Sequence, residues 1–254
     1  MLEVFHLTKR YNRKPAVDDV SFAISPGEVL GYLGPNGSGK STTVKMLTGL
    51  LEPTSGQVFC HGRNITEDVT AFKRTLGYVP EEPFVYPYLT GREYLQLTGR
   101  LRSMPERMLT QKIDALLNLF SLFEHRFSPI ASYSKGMKQK ILISAALLHD
   151  PEVVIFDEPL SGLDVTTAMI FKNLVRELSS RGKMILYSSH VLEVVEKVCT
   201  RVLILRQGRV VAHDSVENLR ALLSSPSLES VFAQLVVQED TEKIARGMID
   251  VITG

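Results

Sequence analysis

Short unbroken apolar runs and longer periodic ones divide this chain into elements. Val29–Leu33 and residues 153–156 (Val-Val-Ile-Phe) are rich in β-branched side chains and show no alternation, as in strands covered on both faces of a parallel sheet. Residues 77–79 and 184–187 read as further strands of that core. Residues 2–7, 17–24 and 57–60 predict an antiparallel piece, with Tyr11 on the loop between the first two strands. Residues 201–212 predict a hairpin turning at Gln207-Gly208. Elsewhere the spacing is helical. Ile113, Leu116, Leu117 and Phe120 recur at i, i+3, i+4 and i+7 and predict a helix over 106–120, with Pro105 in its first turn. Helices are also expected over 42–51, 66–75, 90–102, 134–149 and 166–180. The helix over 134–149 carries Ile141, Ala145 and Leu148 as a one-sided stripe.

Chemistry enters behind the strand Val29–Leu33. Gly34-Pro35-Asn36-Gly37-Ser38-Gly39-Lys40-Ser41 reads GxxxxGK[ST] and leads into a helix, the strand–loop–helix context this motif needs. Glycines let the loop curl until successive N–H groups point at phosphate oxygens, and the helix N-terminus adds its positive end. Lys40 would reach the β- and γ-phosphates and the Ser41 hydroxyl would ligate Mg²⁺. The fold class is therefore α/β: a P-loop NTPase core with a mainly parallel sheet, an N-terminal antiparallel β subdomain and an inserted α-helical subdomain. The run at 153–156 ends in Asp157-Glu158. That places Asp157 at the carboxyl end of a buried strand, where open α/β sheets bind ligands, to orient the metal. Glu158, directed differently, could take a proton from an attacking water.

Further segments fall in a fixed order: Tyr133-Ser134-Lys135-Gly136-Met137 before that strand, then Ser161-Gly162-Leu163-Asp164 and Ser188-Ser189-His190 after it. Together with the P-loop, this order resembles the ATP-binding cassette family over residues 2–214. The resemblance implies a Walker A loop at residues 34–42, a Walker B strand ending at Asp157, a catalytic glutamate at Glu158 and a switch histidine at His190. It also implies that Tyr11, Val17, Asn36, Gly37, Ser38, Gly39, Lys40, Ser41 and Thr42 hold ATP. Ser134 and Gly136 would meet the γ-phosphate bound by a second copy. Two departures stand out. Lys135 and Met137 replace the usual Gly and Gln of the signature, and Glu81 stands where the family has Gln, in reach of the metal. Both resemble single-domain exporter ATPases of the drug, sodium and cytochrome-maturation subgroup.

Ser134 also has a local explanation, since Ser is a good N-cap and a bare helix terminus attracts anions. Pro80, Pro83 and Pro87 break the chain into a segment bearing Phe84, Tyr86 and Tyr88. These aromatics either form a groove for a permease helix or pack on the insert's own helices. The other histidines (6, 61, 125, 149 and 213) lack metal-ligand spacing.

Composition narrows the partners. The chain has 254 residues, 44% of them hydrophobic, and a net charge of +1, with no basic stripe among aromatics, so no nucleic acid is expected. Two cysteines without a CxxC suggest no disulfide framework. Residues 1–10 lack the apolar core of a signal peptide, and the longest strong apolar run is too short to span a bilayer. The expected location is cytoplasmic, peripheral on the inner face of the membrane through a permease subunit. The expected organisation is a cassette over 1–215, its helical insert at about 82–150, and a helical extension over 216–254 with helices at 216–223, 228–237 and 241–252. Docking on the core is the favoured role for those last helices. The leading function is transport-coupled ATP hydrolysis; the alternative is a soluble regulatory ATPase without a membrane partner. A guanine-reading Asn-Lys-x-Asp segment and a long coiled-coil insertion are both missing from the sequence.

Overall fold

The computed structural model describes residues 1–12, 14–236, 248, 251 and 252. Ten strands are seen among them: β1 Leu2–Tyr11, β2 Lys14–Ile24, β3 Val29–Leu33, β4 Ser55–Cys60, β5 Arg63–Asn64, β6 Leu76–Val79, β7 Val153–Asp157, β8 Met184–Ser188, β9 Arg201–Arg206 and β10 Arg209–Ser215. They form two sheets, a four-stranded antiparallel one ordered β2-β1-β4-β5 and a six-stranded one ordered β10-β9-β3-β8-β7-β6. The pairs β9–β3, β3–β8, β8–β7 and β7–β6 are parallel, and only the edge hairpin β9–β10 is antiparallel.

β3, β7 and β8 are buried at every position, which is why their sequences do not alternate. Side chains still alternate between faces. Leu30, Tyr32, Val153, Ile155 and Leu186 pack toward the antiparallel sheet and the helix α1 (Lys40–Leu47). Leu33, Val154, Phe156, Ile185 and Tyr187 pack on the opposite side, where α6 (Val165–Ser180) and α7 (Leu192–Val198) lie. Helix α2 (Val69–Thr75) precedes β6.

A third apolar cluster sits in the insert between β6 and β7. It gathers Leu95 of α3 (Gly91–Leu101), Leu109, Ile113 and Leu117 of α4 (Glu106–Leu119), and Ile141, Ala145 and Leu148 at α5 (Lys135–Leu147) and its cap. The expected one-sided stripe on α5 is corrected here. Leu142, Ile143 and Ala146 of the same helix pack into the main core, so α5 is buried on two sides and joins the insert to the sheet. Pro105 is the N-cap of α4, in extended conformation, rather than a residue of its first turn. Thr90 and Glu93 form a reciprocal capping box on α3. The helix expected over 42–51 begins two residues earlier and ends at Leu47, and that expected over 66–75 begins at Val69, capped by Asp68.

Two further helices, α8 (Val216–Leu222) and α9 (Leu228–Val236), bury Val216, Leu219, Leu228 and Val231 in the main core. The helix expected over 241–252 lies outside the described residues apart from 248, 251 and 252, which are helical and exposed. Cys60 and Cys199 are both free thiols.

Candidate nucleotide site

Strand register builds the site. Asp157 at the end of β7 pairs with Ser188 at the end of β8, and Ser188 in turn faces Tyr32 of β3. On the other side of β7, Val79 of β6 pairs with Phe156. Four parallel strands therefore end at one level, and the loops leaving them share one edge of the sheet. That edge is where ligands bind in open α/β folds. A cleft of about 330 Å³ opens there, lined by Ala16, Asn36, Gly37, Gly39, Lys40, Ser41, Thr42, Glu81, Asp157, Glu158 and His190.

The glycine loop has the form that phosphate requires. Gly39 is the N-cap of α1 with φ +107°, and a Cβ there would stand 2.4 Å from the Ala16 carbonyl, so only glycine fits. Helix α1 has no side-chain cap and no acidic residue in its first turn, which leaves its terminal N–H groups open to an anion. Ser38 Oγ is buried without a partner. The ammonium of Lys40 folds over the loop, 2.6 Å from the Gly34 carbonyl and 3.2 Å from that of Pro35. Burial pushes its pKa below the ordinary lysine value, opposed by Glu158, Asp157 and Glu81.

Opposite the loop stand the carboxylates. Asp157 is 4% exposed, and burial raises its pKa, with repulsion from Glu81 and Glu158 adding to the effect and Lys40 opposing it. Glu158 adopts φ +48°, a left-handed conformation uncommon for a residue with a Cβ, with its N–H donating to the Ser188 carbonyl across 2.9 Å. Strain of this kind persists only where surrounding contacts enforce it. Its Oε1 lies 2.8 Å from His190 Nδ1, and its Oε2 accepts from Ser189 Oγ at 3.2 Å. His190 lies in the connection between β8 and α7, outside both elements.

Three carboxylates against one ammonium leave a deficit of positive charge that suits a divalent cation. Among the described residues no three His, Cys, Asp or Glu side chains form a metal cage. Mg²⁺ is commonly held by one or two protein groups plus phosphate oxygens rather than by an all-protein cage. Ser41 and Asp157 both line this cleft, and the uncapped N-terminus of α1 opens beside them.

Five expected residues stand outside the cleft lining. Tyr11 is the last residue of β1 rather than a loop residue, half exposed, with Lys9 Nζ 5.7 Å from its ring centre. Val17 is fully buried beneath the loop, against Gly39, and Ser38 is buried within the loop. Ser134 caps α5, its Oγ accepting from Met137 N–H at 3.2 Å. Gly136 has a steric reason: a Cβ would sit 2.7 Å from the Gly162 carbonyl. Ala16 lines the cleft without having been expected, because a backbone contact leaves no mark on residue type.

Residues 17–161 match the ABC transporter family. The ABC transporter ATP-binding protein NatA of Bacillus subtilis is 34% identical over 94% of this chain and 99% of its own length. The solved structure of an ATP-binding subunit of an ABC transporter superposes with a TM-score of 0.88 at 34% identity, covering 92% of this chain and 99% of that one. A dimeric ATP-binding cassette, MJ0796, bound to ADP and Pi shares the fold with a TM-score of 0.79 at 24% identity, over 85% of this chain and 98% of that one. This chain belongs to the ABC transporter family, as one of its ATP-binding, ATP-hydrolysing cassettes.

Proposed function

We propose that this chain is the nucleotide-binding subunit of a transporter, hydrolysing ATP between two head-to-tail cassettes to drive a separate membrane permease in the direction of export. The observation that carries this reading is the division of the site. Lys40, Ser41, Glu81, Asp157, Glu158 and His190 share one cleft, while Ser134 and Gly136 do not line it. A second copy would bring its Ser134 helix terminus to the γ-phosphate; the MJ0796 cassette, which shares the fold, is described as dimeric.

In this reading the N-terminus of α1 and Lys40 bind the phosphates. Ser41 and Asp157 hold Mg²⁺, which when bound supplies positive charge at the phosphate oxygens. Glu158 accepts the proton of the attacking water, and His190 orients toward the γ-phosphate. Tyr11 stacks on the base and Val17 supports the loop from below.

Coupling to a permease falls to the segment after β6. Phe84 and Tyr88 are 79% and 91% exposed, which favours a docking surface, while Tyr86 has its ring 6.4 Å from that of Tyr94 in α3 and so packs in part on the insert. No described helix is long and apolar enough to cross a membrane, so the proposed place is the cytoplasmic face of the membrane, attached through that partner. The export direction rests on the exporter-like Glu81, Lys135 and Met137. The cassette is taken as residues 1–215 with its insert at about 82–150, and 216–254 as an extension.

Purification of the tagged chain from detergent-solubilised membranes tests the reading. It requires a multispanning protein to co-purify and to be lost from the Tyr86→Ser/Tyr88→Ser variant, with ATPase activity of the isolated subunit retained. A folded, active chain that brings down no membrane protein favours the soluble regulatory ATPase.

A further inference from the structure

Glu158 is held by two neighbours of opposite character. The side chain of His190, on Oε1, is 76% exposed and free to turn. Ser189, on Oε2, is 3% exposed, and its hydroxyl is itself fixed, accepting from the Val191 N–H at 3.1 Å. The polarity of the Glu158 contact follows from its partners: an ionised carboxylate only accepts, so the one serine proton goes to Oε2 while the Val191 N–H takes a lone pair.

From this geometry we infer that Ser189 is a positioning residue for hydrolysis, the fixed clamp that keeps the Glu158 carboxylate aimed when His190 turns toward nucleotide. The inference rests on the proposed role of Glu158 as proton acceptor. The exposed imidazole can address a phosphate through Nε2, and a ring drawn toward that anion is a movable partner for Oε1. The buried hydroxyl has both of its partners within the protein and so holds a carboxylate at a strained φ that could otherwise rotate.

A displaced catalytic group of this kind can cost on the order of 10²-fold in rate. Ser189→Ala should therefore lower kcat by roughly 10- to 100-fold, with little change in KM or in ATP affinity measured without turnover, at a temperature where circular dichroism shows the variant folded. Ser189→Thr, which keeps the hydroxyl, should recover most of the rate. A crystal structure of Ser189→Ala should show Glu158 rotated from its Ser189-facing position. In a Glu158→Gln background Ser189→Ala should cost nothing further. Wild-type kcat in Ser189→Ala, beside a strongly impaired Glu158→Gln, overturns the clamp alone. Full activity in Glu158→Gln overturns the role of Glu158 itself. Failure of Ser189→Thr to recover activity, with Glu158 unmoved in Ser189→Ala, also overturns the clamp.

Discussion

The side-chain amide of Gln139 donates to the carbonyl of Pro159 across 3.0 Å, tying the helix that begins at Ser134 to the residue following Glu158. Gln139 is 1% exposed, so this is a bond shielded from water. Gln139→Leu keeps much of the volume but leaves the Pro159 carbonyl without that donor. Stranding a buried acceptor costs about 1–3 kcal/mol. Urea denaturation should show a loss of that size; an unchanged midpoint would mean that another group satisfies the carbonyl.

Near the far end of the same helix, His149 Nε2 donates to the Leu76 carbonyl at 3.1 Å while its Nδ1 is buried without a partner. Burial, reinforced by Arg102 and Lys112, pushes its pKa down to about 4, against a partial pull upward from the Leu76 carbonyl and Asp150. The unfolded chain takes up this proton near pH 6.5, before the folded one does. Stability from neutral His149 is thus full above about pH 6.5 and drains away as pH falls toward about 4. His149→Gln should flatten the decline in unfolding free energy between pH 7.5 and 5. An equal slope in wild type and variant would show that the ring titrates alike in both states.

Glu81 lines the cleft beside Lys40 and Asp157. A carboxylate about 5 Å from a phosphate oxygen costs about 3 kcal/mol per unit charge at an effective dielectric of 20, and attraction to Mg²⁺ has the same form with twice the charge. Glu81→Gln should therefore bind metal-free ATP more tightly than wild type, while its gain in affinity on adding Mg²⁺ shrinks. Titration calorimetry in chelator and in Mg²⁺ reads both. Identical affinities in the two proteins would make Glu81 a bystander.

Much of the cleft was legible in the chain because its chemistry is local. The loop from Gly34 to Ser41 encodes its own shape, and Asp157 follows an apolar run that only a doubly covered strand explains. What was hidden depends on contacts between distant segments. The stripe on α5 looked one-sided because Leu142, Ile143 and Ala146 meet the sheet, which periodicity within one helix cannot reveal. Gly136 read as part of a signature, yet its steric need arises from Gly162, across a long stretch of chain. Ser189 belongs to the Ser188-Ser189-His190 segment, yet its role is hidden for a similar reason. A serine beside His190 has no pattern of its own, and only the fold brings its hydroxyl to Glu158.

The central claim, that this cleft hydrolyses ATP with Glu158 as proton acceptor, is tested most directly by Glu158→Gln. The amide keeps the size of the side chain and its reach to Ser189 but cannot take a proton. General-base assistance is typically worth about 10²–10⁴ in rate. Turnover should fall by that factor while Mg·ATP, measured by equilibrium binding on the same preparation, binds at least as tightly as to wild type. Turnover equal to wild type with ATP still bound would contradict the account.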